Sequence, residues 1–83
     1  MLTVKAYSIQ SGWLYGVPVW IDNVYVGTTP YSGYVTPGSH QIKVPSNLYV
    51  HVFKYYYYDG IYNYSNPMTL SITSDKTVTA YYN

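Results

Sequence analysis

A chain of 83 residues holds one domain, and a domain this small buries only about 60–65% of the surface its unfolded chain exposes. It has no cysteine, which excludes disulfides and thiolate metal sites; the core must therefore supply the stability, and fourteen tyrosines, two tryptophans and one phenylalanine provide rings worth about 150–250 Å² of buried area each. Four lysines and three aspartates leave a net charge of +1, which gives no electrostatic case for nucleic acid or acidic membranes, and a hydrophobic share of 48% argues against disorder.

The pattern is β from end to end. Along "LTVKAYSI", Leu2, Val4, Ala6 and Ser8 share one face, and Thr3, Lys5, Tyr7 and Ile9 the other. "VPVWI" sets Val17, Val19 and Ile21 together, with Pro18 marking an edge or a strand start. Asp22-Asn23 is a turn dipeptide, followed by "VYV" and Gly27. "HQIKV" turns Ile42 and Val44 inward and Gln41 and Lys43 outward. "YVHVFKYYYY" is the longest β run; "MTLSI" aligns Met68, Leu70 and Ile72, and "TVTAYY" aligns Val78, Ala80 and Tyr82. Turn-forming clusters separate these runs at 11–12, 28–30, 36–39, 45–47, 59–60, 65–67 and 74–76. No 3.6-residue period is sustained, so the expectation is a single all-β domain over residues 1–83: a small antiparallel β-sandwich of about seven strands with no helix, no linker and no internal repeat.

Two stretches carry a resemblance. "VPVWIDNVYVGTTP" followed by "VTPGSHQIKVP" resembles the PEGA family, with its strand, D-G-type turn, short strand ending in V-G-x-T-P, and P-G-x-H hairpin. Such domains look like relatives of carboxypeptidase regulatory-like sandwiches. "YYDGIYNYSNPMTLSITSDKTVTAYY" is similar to repeats of archaeal and bacterial cell-surface proteins, and the two halves together run from Val17 to Tyr82. Local physics fits the motif: Gly27 lets the backbone leave the strand, the threonines bond the loop locally, Pro30 fixes φ, and Pro37-Gly38 reads as a type II turn centre. The sequence departs from the pattern in two places. Asn23 replaces the turn glycine, which αL-tolerant asparagine allows. Tyr57 stands where the surface repeats place tryptophan, which implies a core position; the aromatic before it is one residue out of register, which brings a bulge near Tyr55 or Tyr56 into play. For function the resemblance implies a spacer or display module and no particular activity.

The residues argue against catalysis. Asp22, Asp59 and Asp75 all fall in turns, where aspartate bonds its own backbone. His40 follows a turn at the place where the family has its own histidine, which assigns it to the fold; His51 alternates with Val50 and Val52. Zinc takes three or four N, S or O ligands, and a structural or solvent-facing role is favoured for both histidines over a metal pair or a base. Among eight serines there is no nucleophile elbow and no acid beside a histidine, and no glycine-rich phosphate loop opens a helix. The chain is therefore expected to be no enzyme, with no catalytic, cofactor-binding or metal-ligating residue. "NYS" makes Asn63 a candidate glycosylation site on a surface loop.

The run "KYYYYDG" poses the main functional question. Without a bulge, Phe53, Tyr55 and Tyr57 share a face with His51, while Val50, Val52, Tyr56 and Tyr58 share the opposite one with Lys54, and the valines mark that second face as core. With a bulge, Phe53 and Tyr57 turn inward. The candidate surface patch is Tyr55, Tyr58, Tyr62 and Tyr64, with Tyr57 an additional candidate for a sugar platform. Because tyrosines are spread along the chain, the ring-covered surface reads first as structural or protein-packing area. The expectation is a non-catalytic structural, display or assembly module of an extracellular, cell-envelope or virion protein, packing against other protein modules or itself. The alternative is a carbohydrate-binding module using surface tyrosines. Nucleic acid and membrane insertion are not expected, and "MLTVKAYSIQ" shows no signal-peptide pattern.

Overall fold

The computed structural model describes residues 1–83 and contains eleven strands and no helix. They are β1 (Leu2–Ser8), β2 (Gly12–Leu14), β3 (Pro18–Ile21), β4 (Val24–Thr28), β5 (Tyr31–Gly33), β6 (Gly38–Lys43), β7 (Asn47–Leu48), β8 (His51–Tyr58), β9 (Ile61–Asn63), β10 (Met68–Ile72) and β11 (Lys76–Tyr82). Two sheets pack face to face. The larger runs β2-β1-β11-β8-β7, with β5 against β1 and β9 against β8; the smaller runs β10-β6-β3-β4. The expected all-β sandwich is what forms, and the strand count exceeds seven because four short strands of two or three residues come from stretches read as turns or strand ends.

One pairing departs from the antiparallel expectation. β1 and β11, the two ends of the chain, run parallel with Leu2 opposite Lys76 and Tyr7 opposite Tyr81. Alternation along each strand shows which side chains share a face, but not which strand lies beside which, so this neighbour relation is invisible in periodicity.

Outside β8 the inward parity holds as read. Leu2, Val4, Ala6, Val78, Ala80 and Tyr82 of the larger sheet meet Val19, Ile21, Ile42, Met68, Leu70 and Ile72 of the smaller one in a core of 15 buried residues. Two of these are tyrosines whose hydroxyls have found partners. Tyr56 donates to Asn66 Oδ1 at 2.6 Å, near the Ile42 carbonyl at 3.2 Å, and Tyr82 donates to the Pro45 carbonyl at 2.7 Å. Asn66 in turn donates to the Val44 carbonyl at 2.7 Å. The buried phenols thus tie the larger sheet to the segment leaving β6, and no buried side-chain polar atom is left without a partner. Burial pushes both hydroxyls well above the usual tyrosine range, Tyr56 further because Tyr82 lies near it.

The turns follow the motif with two corrections. Asp22 and Asn23 take φ of 52° and 68°, the double left-handed conformation of a type I′ hairpin, so asparagine does replace glycine here. Thr29 does not bond locally. Its buried hydroxyl accepts from the Val17 N–H and donates to the Leu14 carbonyl, 12 and 15 residues away, clamping the β2–β3 connection. Pro37-Gly38 forms an open bend leading into β6 rather than a type II turn, with Gly38 at φ 130°.

Candidate functional site

The bulge in β8 decides where the tyrosine run points. Tyr81 lies opposite Tyr55 but Tyr82 lies opposite Phe53, so Lys54 is the extra residue. That one insertion lets Phe53, before it, and Tyr56 and Tyr58, after it, all pack on the core, while Tyr55 and Tyr57 point outward. Three expectations are corrected. Tyr57 is on the outer face, paired with Tyr62, and not in the core; Tyr58 packs against the core and leaves the candidate patch; Val50 and Val52 are exposed, since Val50 sits in the turn after β7 and the face they share is inward only beyond the bulge.

The outer face of the larger sheet carries a row of rings in cross-strand register. Trp13 is opposite Tyr7, Tyr7 opposite Tyr81, and Tyr81 opposite Tyr55. The ring centroids follow at 5.1 Å, 5.5 Å and 5.1 Å, close to the spacing of about 4.8 Å between strands. Tyr64 continues the row 5.5 Å from Tyr55, and Tyr57 and Tyr62 form a second rank, 5.0 Å apart and joined to the first through Tyr55 and Tyr81. Seven rings from five strands and the loop after β9 therefore make one continuous surface. Trp13, Tyr62 and Tyr64 are its most open members, 51%, 57% and 70% exposed. Beneath it Thr79, opposite Tyr57, is buried although it points outward.

The chemistry of this face is neutral. Lys5 stands with its Nζ 5.5 Å over the Trp13 ring, and the exposed Lys54 precedes Tyr55 at the bulge. Burial, and then the neighbouring hydroxyls of Tyr62, Tyr81 and Tyr64, push the Tyr55 hydroxyl above the usual range, so it remains a protonated donor at neutral pH. Most ring pairs meet at 50–90°, and the Tyr55–Tyr81 pair is stacked at 28°, so the rings turn their faces and edges on one another instead of lying side by side in a common plane. Of the patch read from sequence, Tyr55, Tyr62 and Tyr64 are brought together and Tyr58 is not. Tyr7, Trp13 and Tyr81 were missed. Their outward parity was readable, but their adjacency depends on the parallel β1–β11 pairing.

Elsewhere the polar groups serve the backbone. His40 contradicts the expectation that no acid lies beside a histidine. Its Nδ1 donates to Asp22 Oδ2 and its Nε2 donates to the Thr36 carbonyl, both at 2.6 Å. Both partners can only accept, so both ring nitrogens carry hydrogen and the imidazolium form is favoured. The Asp22 contact, then the Thr36 carbonyl, raise the His40 pKa; the Gln41 N–H, then His40, lower that of Asp22. No serine joins the pair, and the arrangement pins the β3–β4 turn to the β5–β6 connection. His51 Nδ1 donates to the Asn83 carbonyl at 2.6 Å and lies 3.2 Å from Ser8 Oγ. No three of the Asp and His residues gather as metal ligands would. Asn63 is half-buried at the end of β9, and its side-chain oxygen accepts the Ser65 N–H at 2.9 Å. A groove of about 520 Å³ separates the Tyr15–Pro18 segment from the β7 hairpin and is lined also by Leu14 and His51. Tyr49, at φ 55° and 98% exposed, stands at its rim.

Comparison with known families gives a match to the PEGA domain over residues 5–83. No curated protein and no solved structure matches the chain.

Proposed function

The chain belongs to the PEGA domain family, and on that premise we propose that it is a non-catalytic structural or display module of a cell-surface or other extracellular protein, working by packing its aromatic sheet face against a neighbouring protein module. The seven-ring outer face carries this reading. Tyrosine and tryptophan are the residues that protein interfaces favour, because one end is apolar and the other can hydrogen-bond. Here the rings are already held by one another, so little side-chain entropy remains to be lost when a partner covers them. With four lysines and three aspartates in the whole chain, the protein suits close contact with another weakly charged module.

The test is sedimentation over a concentration series, wild type against the triple variant Trp13→Thr, Tyr62→Thr, Tyr64→Thr. The wild type should associate and the variant should associate several-fold less while melting within a few degrees of it. Equal association would remove the aromatic face as the contact surface.

A carbohydrate reading is supported by a different feature, the groove between Tyr15 and Tyr49, which has open aromatic walls and the polar groups of Asn47 and His51. Titration with a panel of polysaccharides, followed by Tyr/Trp fluorescence, separates the two. Saturable quenching would favour the sugar site; flat curves would remove it.

A further inference from the structure

The sandwich leaves several strand edges open, and they are not equally protected. β2, β5 and β9 have three residues each and β7 has two, too short to template another strand. β4 is longer but carries a bulge: Val19 faces Gly27 and Trp20 faces Tyr25, leaving Val26 unpaired and twisting the edge. β10 has none of these devices. It is five residues long, regular in register against β6, and contains no charge and no proline.

The hydrogen-bond phase shows which of its backbone groups are free. The Asp22 N–H donates to the Gln41 carbonyl, and the Gln41 N–H donates to Asp22 Oδ1, so Gln41 faces β3. Its neighbours His40 and Ile42 must then face β10, where they pair with Leu70 and Met68. Hence Met68, Leu70 and Ile72 spend their backbone groups on β6, and those of Thr69 and Ser71 point away from the sheet. Pro67, the next outward position, has no N–H and ends the edge on that side.

We propose that β10 pairs antiparallel with β10 of a second copy of this chain, about a two-fold axis at Leu70. This occupant follows from the pattern. Thr69 and Ser71 flank Leu70 symmetrically, so the two-fold places Thr69 of one copy opposite Ser71 of the other, and all four outward N–H and C=O pairs of the two strands are satisfied in one arrangement. Leu70 meets Leu70, and Met68 meets Ile72, on the inner side. Thr69 and Ser71 side chains meet on the outer side, a favourable cross-strand pair with no charge to repel. The product is a continuous eight-stranded sheet, β4-β3-β6-β10 twice over. It leaves both aromatic faces on the far sheets free. The proposal deepens the reading of the chain as a packing module and rests on that reading, not on the aromatic face as its contact. The contact is small, so pairing is expected near 0.1–1 mM.

The experiment is an amide NMR concentration series on the whole chain with sedimentation alongside. The Thr69 and Ser71 amides should shift with concentration while the Leu70 amide, bonded to β6, moves less, and the mass should rise from 9.5 kDa towards twice that value. Ser71→Pro removes one outward N–H without touching the β6 ladder and should weaken pairing at least tenfold. Should that variant misfold, the Thr69→Lys/Ser71→Lys double variant places lysines opposite each other on the solvent side and should weaken it equally. Amides at 69 and 71 that stay fixed up to 1 mM would overturn edge pairing. Association that survives Ser71→Pro and the double lysine variant yet falls in the aromatic triple variant would also overturn it while sparing the aromatic-face reading. Loss with Ser71→Pro but not with the aromatic triple variant would support the edge and remove that face.

Discussion

Tyr55 and Tyr56 are neighbours in one strand, as are Tyr81 and Tyr82 in the strand beside it, and each pair divides between two faces of one sheet. Tyr56 and Tyr82 are fully buried, each hydroxyl bonded to a named acceptor across the sandwich. Tyr55 and Tyr81 stack on each other outside, with neighbouring rings as their company. The same residue does two jobs. Inside, the ring supplies area and the hydroxyl must be satisfied; outside, the ring covers a sheet that has almost no charge to cover it and leaves a surface ready for contact.

The largest expected effect comes from the residue that keeps the faces apart. Deleting Lys54 removes the bulge, so either Phe53 or the block from Tyr55 to Tyr58 must change face. Urea unfolding should show a loss of about 3–5 kcal/mol or no cooperative transition. A loss below about 1 kcal/mol would mean the register tolerates slippage.

Next are the buried hydroxyls. Tyr56→Phe removes the shorter of the two hydrogen bonds that Asn66 Oδ1 accepts, leaving only the one from the Val44 N–H at 3.3 Å, and should cost about 1–2 kcal/mol at pH 7. Because burial raises the Tyr56 and Tyr82 pKa values above the ordinary 10, their contribution is complete below pH 10 and is lost as pH rises through the raised values. Wild-type stability should therefore fall steeply above pH 10, and Tyr56→Phe/Tyr82→Phe should flatten that limb. An unchanged limb would mean that the alkaline sensitivity does not come from these two buried hydroxyls.

The His40–Asp22 pin should give a smaller signal, no more than about 1 kcal/mol after solvent screening. The raised His40 pKa makes its contribution complete below pH 6.5 and lost as pH rises through the raised value. The lowered Asp22 pKa makes its own complete above 3.8 and lost in acid. His40→Gln should remove the loss above pH 6.5, measured by thermal melting across pH. Smallest of all should be Tyr62→Ser, within about 1 kcal/mol, since it gives up only exposed ring contacts.

Period-2 alternation named most of the core correctly because each strand with one buried face writes that face into its sequence. It misplaced Val50 and Val52, where the strand had not yet reached the core, and Tyr57, where the family's tryptophan outweighed the parity of a bulged strand. The register mismatch did signal the bulge. It could not say which residue was extra, because that depends on what Tyr81 and Tyr82 oppose. Three members of the aromatic row stayed hidden for a similar reason: Tyr7 and Tyr81 are 74 positions apart in the chain and meet only through parallel pairing of the two ends.

The most direct measurement is urea unfolding of Tyr55→Ala and Tyr56→Ala side by side at pH 7. If the inner ring holds the fold and the outer ring serves contact, Tyr56→Ala should lose about 3–5 kcal/mol and Tyr55→Ala no more than about 2 kcal/mol, with native spectra retained. Equal losses would contradict the division, making the outer rings part of what holds the sandwich together and leaving no separate surface for a partner.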